Sequence, residues 1–171
     1  MKAGTYNNVE ITPDGKIISA KNYVPSRGKV SYFDLTGTII SITTASDGTD
    51  NFVHLNPATT TGDLDMFDNG GADDGHLRYT GRLTKFFQID ASISITPVTS
   101  NDVFVFALAI NDAVVTTAKV IFSSRTNTDV DTISIHDTKE LSEGDTVCVF
   151  VANTTGVDDI TVKSLMLMVN E

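Results

Sequence analysis

The chain has 171 residues, 40% of them apolar, and a formal net charge of −10. That length suits one compact domain with its own core, and the apolar share argues against an intrinsically disordered chain. The charge argues against nucleic-acid binding, because a field of that sign repels phosphate backbones; no apolar run reaches the ~18 residues of a membrane span, and the opening MKAGTYNNVEITPDG has no stretch of signal-peptide type.

Residues 1–28 read differently from the rest. Thr12-Pro13-Asp14-Gly15 is a turn signal between two short β-prone pieces, 8–11 and 16–19, and Pro25-Ser26-Arg27-Gly28 is a connector. The segment carries Lys2, Lys16, Lys21 and Arg27 but too few large apolar side chains for a separate core. It is expected to be an arm that packs on something else, leaving residues 29–171 as the head domain.

From residue 29 onward strand follows strand. Residues 29–33 and 38–43 are short β candidates, and 51–55 follows a turn at Asp47-Gly48-Thr49-Asp50. Residues 56–75 are predicted to be a polar loop, with Asp63, Asp65, Asp68, Asp73 and Asp74 grouped around Gly70-Gly71. Residues 78–84 make a plausible strand. In 86–96, Phe87, Ile89, Ala91, Ile93 and Ile95 alternate with Gln88, Asp90, Ser92 and Ser94, the period-two pattern of a half-buried strand. Residues 103–110 are apolar on both faces, as a central covered strand requires, and Asn111-Asp112 turns them into 113–122. After a polar loop at 123–129 come 131–136, 146–152 and 160–169. No segment shows a helical period. Many short strands at regular spacing predict an all-β sandwich, and their number favours a jelly roll.

Catalytic signals are absent. His54, His76 and His136 lie far apart in sequence and in no metal-ligand spacing such as HExxH, although two or three can meet in the fold. There is no Gly-x-Ser-x-Gly elbow and no Walker-type phosphate loop. Cys148 is the single cysteine, so it has no internal disulfide partner; its apolar setting predicts a buried inert thiol. A lone thiol suits assembly in a reducing cytoplasm. Asn153-Thr154-Thr155 matches a glycosylation sequon, which has no consequence without secretion. The five aspartates of the 56–75 loop are the candidate metal ligands, since oxygen-rich loops wrap Ca²⁺. Their spacing is not that of an EF-hand, and a solvated acidic loop is the plainer reading.

Three pieces resemble, in order, the globular heads of the TNF-like superfamily, the jelly rolls of tumour necrosis factors and complement heads. They are GHLRYTGRLTKFFQIDASISI (75–95), VFVFALAINDAVV (103–115) and LSEGDTVCVFVANTTG (141–156), followed by a closing apolar strand ITVKSLMLMVN. The opening GTYNNVEITPDGKIISAKNY (4–23) is similar to a segment found in bacteriophage fibre proteins. The resemblance implies a jelly-roll head that packs one sheet around a three-fold axis, hence a homotrimer. The strand at 146–152 fits that implication. Val147, Val149 and Val151 point one way and are expected in the sandwich core, while Cys148, Phe150 and Ala152 point the other and are expected at the subunit interface. The functional expectation is a virion structural protein assembled in the host cytoplasm: a capsid decoration, head-fibre or fibre-tip protein joined to capsid or other virion proteins through residues 1–28. The alternative is an adhesion module that reads a host glycan or receptor on the same fold.

Overall fold

The computed structural model describes residues 8–21, 25–126 and 128–171, and among them every regular element is a strand. β1 (Asn8–Ile11) and β2 (Ile17–Lys21) pair antiparallel as a separate two-stranded sheet. Thr12 and Lys16 close the turn between them, the Thr12 amide donating to the Lys16 carbonyl at 2.8 Å, with Gly15 at a φ of 82°. The turn expected at 12–15 is therefore present. Residues 1–7 and 22–24 of the expected arm lie outside the described residues. β3 (Arg27–Ile40) begins inside the segment read as the arm, and Ser26 is already tied to the far end of the chain: its amide donates to a Glu171 carboxylate oxygen at 3.1 Å, and the Glu171 amide donates back to the Ser26 carbonyl at 3.0 Å.

Two antiparallel sheets make the head. After β3 come β4 (Val53–His54), β5 (Thr60–Asp65), β6 (Phe67–Asp68), β7 (Leu77–Tyr79), β8 (Lys85–Pro97), β9 (Val103–Ile110), β10 (Ala113–Ser123), β11 (Asp131–Leu141), β12 (Thr146–Asn153) and β13 (Ile160–Asn170). One sheet runs β11-β8-β13-β3-β5. The other runs β10-β9-β12-β7-β6, with β4 also paired to β12. The inward faces follow from the period-two pattern. Phe87, Ile89, Ala91, Ile93 and Ile95 of β8 are at most 2% exposed, and Val162, Leu165, Leu167 and Val169 of β13 join them. Across the sandwich stand Phe104, Phe106 and Leu108 of β9 and Val147, Val149 and Val151 of β12, so the three valines fill the core as expected. Asn111 and Asp112, with φ of 51° and 60°, form the two-residue β9–β10 hairpin turn, a conformation that Asn and Asp tolerate better than most side chains.

Three expectations change. The candidates at 29–33 and 38–43 are one strand, because β3 keeps its ladder to β13 across a wide bulge: Phe33 pairs with Ser164 and Thr38 with Val162, so 34–37 protrude opposite Lys163 alone. The Lys163 ammonium donates to the Leu35 and Thr36 carbonyls at 2.9 and 2.7 Å and so satisfies backbone that the bulge frees. The loop at 56–75 contains β5 and β6, whose ladders run to β3 and β7. The strand expected at 78–84 stops at Tyr79. There the chain folds around the Tyr79 ring, whose hydroxyl donates to the Leu83 carbonyl at 2.8 Å, and a side chain at Gly81 would strike that ring.

Two substitutions test this packing. Phe87 is fully buried in a three-ring cluster, 5.3 Å from Phe67 and 4.9 Å from Tyr79 between centroids. Phe87→Ala is expected to cost about 3–5 kcal/mol of unfolding free energy in urea titration. Gly37 has a φ of 82°, and a Cβ there would lie 2.6 Å from Thr161 Cγ2 and 2.7 Å from the Val162 carbonyl oxygen. Gly37→Ala should therefore lose more than about 1 kcal/mol in the same assay, against the small gain that Gly→Ala gives where the backbone permits it.

Candidate functional site

Two regions qualify by geometry, one on each sheet. The first lies on the outer face of the β9–β12 pair. Cys148 and Ala152 point outward there, yet both are 0% exposed in the single chain, and Phe150 is half-buried. Their cover comes in part from the chain between Ser46 and His54, which leaves the edge of β12, passes Val105 and Lys119 on this face and returns to the edge as β4, and at Cys148 also from His76 and Asp112. The Ser46 amide donates to the Asn153 carbonyl and the Leu55 amide to the Val149 carbonyl, both at 2.9 Å. Between these ties, Lys119 of β10 donates to the Gly48 carbonyl at 2.9 Å, with its ammonium 5.0 Å from the centre of the Phe52 ring. The second apolar face of β12 thus has an intramolecular lid, and the reasoning that placed Cys148 and Ala152 against a neighbouring subunit loses its premise.

The same crossing brings His54 and His76 together. Gly75 adopts a φ of 89°, and a Cβ on it would stand 2.9 Å from the Leu55 carbonyl oxygen. Only a glycine lets the chain pass this close, and it sets His76 beside His54 with ring centres 4.2 Å apart. The His54 ring also stacks at 5.4 Å on Phe150. Cys148 completes a group whose three ligand atoms all lie within 4.8 Å of one another. Asp74 Oδ1 is 2.8 Å from His76 Nδ1, and Asp112 Oδ1 is 3.3 Å from His76 Nε2 and 3.9 Å from Cys148 Sγ. Burial, and then the neighbouring His76, push the His54 pKa down. Burial, and then the Asp112 and Asp74 carboxylates, push the Cys148 thiol up. Both shifts favour the uncharged forms of the imidazole and the thiol. His136 stays apart on β11, its Nδ1 2.6 Å from an Asp90 oxygen.

The five aspartates of the 56–75 segment are engaged singly. Asp63 lies 3.7 Å from Arg27, and Asp65 is in register with the same residue across β3–β5. Asp68 accepts a bidentate pair from Arg78, Nε at 2.9 Å and Nη2 at 2.8 Å, and that hydrogen-bonded guanidinium holds its carboxyl below the ordinary range. Asp73 accepts from the Asn69 amide at 2.7 Å, and Asp74 takes His76. Among the described residues, the group of three or more His, Cys, Asp and Glu that converges on one point is His54, His76 and Cys148, without these aspartates. The sequence places residues 54, 76 and 148 on separate elements; Gly75 before His76 and the outward parity of Cys148 are the traces it carries of their meeting.

The second region is the outer face of the five-stranded sheet. Ladder register aligns Phe33, Ser164, Ser94 and Thr132 in one row, Ser31, Met166, Ser92 and Ser134 in the next, and Lys29, Met168, Asp90 and His136 in a third. Ser and Thr make the middle of this face low, among the larger Met166, Met168, Lys29 and His136. At its β3 side rises an apolar ridge: Phe33 is 75% exposed, Leu35 at the bulge 81% and Ile39 65%. An open depression lies at the foot of the ridge, lined by Ser31, Tyr32, Asp34, Ala58 and Thr60 together with Phe33 and Leu35.

No protein-family model matches the chain, and no curated protein matches it. Solved structures do. The chain superposes on Eiger TNF from S. frugiperda with a TM-score of 0.56 at 13% identity, covering 86% of this chain and 92% of that one. Murine APRIL gives TM-scores of 0.52 at pH 5.0 and 0.51 at pH 8.5, each at 11% identity and covering 85% of this chain and 99% of that one. At such identities the likeness is one of fold. It spans most of both chains and agrees with the two antiparallel sheets: the molecule is an all-β jelly-roll sandwich of the TNF-like kind.

Proposed function

We propose that this protein is a self-assembling structural head of a virion, a homotrimeric capsid decoration, head-fibre or fibre-tip protein. The observation that carries the assembly is the ridge of Phe33, Leu35 and Ile39, three large apolar side chains standing in water on one strand beside a face whose middle is low and hydroxyl-rich. Large apolar side chains exposed on one strand mark a candidate interaction site. A ridge and a low face are different patches, so one copy's ridge seated on the next copy's sheet is a heterologous contact, the type that closes into a ring. In this reading the interface lies on the five-stranded sheet rather than at Cys148, Phe150 and Ala152. The virion setting rests on the fibre-like opening at 4–23, and attachment to capsid or other virion proteins is given to the N-terminal segment. Residues 26–28 are built into the head, so the attachment arm proper is the chain before them.

Two measurements test the reading. Sedimentation velocity at micromolar concentration should give a trimer, and Leu35→Asp should give a folded monomer, because Leu35 is exposed and its replacement leaves the core intact. A wild-type monomer, or a Leu35→Asp trimer, would remove the ridge as the assembly contact. Deleting residues 1–24 should leave a soluble trimer that no longer loads onto particles, whereas the full chain should be found in purified particles at a fixed copy number. Glycan-array binding by a chain absent from particles would favour the adhesion module instead.

A further inference from the structure

We propose that His54, His76 and Cys148, with Asp112 as the fourth donor, form a binding site for Zn²⁺ on the outer face of the β9–β12 sheet. The proposal is independent of the assembly reading, since all four residues belong to one chain. The three ligand atoms of His54, His76 and Cys148 already lie within 4.8 Å of one another. A tetrahedral zinc with bonds of about 2.0–2.3 Å needs its donors roughly 3.3–3.8 Å apart, so closure by about an ångström brings these three to bonding distance, and Asp112 would swing in from the hairpin turn as the fourth. The groups best placed to move are those nearest solvent: Asp112, 69% exposed on the hairpin turn, and His76, 18% exposed. The same two give the ion its way in.

Three features point to a metal rather than to a chance contact of side chains. The first is an unmet demand. His54 Nε2 is buried and has no hydrogen-bond partner, and an unpartnered buried polar atom carries a desolvation penalty. A metal bond relieves it. The second is orientation. The Asp74 carboxylate stands 2.8 Å from His76 Nδ1; with the ring proton on that nitrogen, Nε2 is the one that would turn a lone pair to an ion, and its present contact is Asp112 Oδ1 at 3.3 Å, which the ion would replace. A carboxylate behind a histidine is the support that metal-bound imidazoles ordinarily have. The third is Asp112 Oδ1 itself, within 3.9 Å of Cys148 Sγ as well as near His76 Nε2. It stands between two of the other donors.

The donor set selects the ion. Two neutral imidazoles, one thiolate and one carboxylate balance a 2+ charge, and the sulfur–nitrogen mixture in a tetrahedral frame favours zinc over the oxygen-seeking Ca²⁺ and Mg²⁺. Binding exchanges the thiol proton for the metal and releases it to solvent. The four residues come from β4, the approach to β7, the β9–β10 turn and β12. The ion would therefore staple the 46–54 crossing to the sheet it covers in part, in a manner that no disulfide could in a chain with one cysteine.

The test uses the full chain after chelator dialysis. Isothermal titration should show one Zn²⁺ per chain, and the melting temperature should rise with the logarithm of free zinc above the dissociation constant. Co²⁺ in place of zinc should show the visible bands of tetrahedral cobalt and a near-ultraviolet thiolate charge-transfer band. Cys148→Ser should abolish that band. Asp74→Asn, which spares every donor, should weaken zinc about 10–100-fold. Asp112→Asn, on an exposed turn, covers the case in which Cys148→Ser fails to fold; it should weaken zinc and alter the cobalt spectrum. Ca²⁺ should leave the melting temperature unchanged. Absence of a zinc-dependent rise, a cobalt complex without thiolate absorption, zinc affinity unaltered in Asp112→Asn, or an equal rise with Ca²⁺ would each overturn the assignment.

Discussion

A strand with apolar side chains on both faces has to be covered twice, and β9 and β12 are two such strands side by side. One face is covered by the five-stranded sheet, which supplies the sandwich. The other is covered in part by the chain between Ser46 and His54, which leaves the edge of β12 and returns to it as β4. From this second cover follow the burial of Cys148 and Ala152, the stacking of His54 on Phe150, and the close passage at Gly75 that sets His76 beside His54. The histidine–cysteine group is thus a by-product of how a hydrophobic surface is kept from water.

Most of the fold was legible because period-two burial is written residue by residue. β8 shows it without exception from Phe87 to Ile95, and the double apolarity of 103–110 marked a central strand correctly. What local pattern does not carry is the identity of a neighbour. The outward parity of Cys148, Phe150 and Ala152 stated that a cover was needed, but not that residues far upstream in the same chain would supply it. The bulge at 34–37 was hidden for a similar reason: 29–33 and 38–43 read as two strands, and only the pairing to β13, with Lys163 filling the gap, keeps β3 continuous.

The candidate sites divide in the same way. A cluster of aspartates is conspicuous in sequence, yet in the fold its members turn to different partners, Arg27, Arg78, Asn69 and His76. The group that converges is inconspicuous, because residues 54, 76, 112 and 148 share no spacing and meet only through sheet register and a glycine passage. The net charge of −10 leaves the ridge as a feature of shape and hydrophobicity set in an acidic molecule, and like charge elsewhere on the surface limits which contacts between copies are tolerated.

The place of β13 governs when this molecule can fold. It lies between β8 and β3 in the five-stranded sheet, so residues 160–170 bridge strands that precede them by about 70 and 130 positions. During synthesis β3 and β8 emerge with no direct ladder to each other, and Val30, Ile89 and Ile93 have no closed core to enter until β13 has left the ribosome. Pairings this distant in sequence make for slow closure, and strands waiting with open edges are exposed to mispairing meanwhile. The Ser- and Thr-rich outward faces of β8 and β11 keep those waiting strands wettable, and the short, bulged β3–β5 ladder gives an intruding strand little to extend.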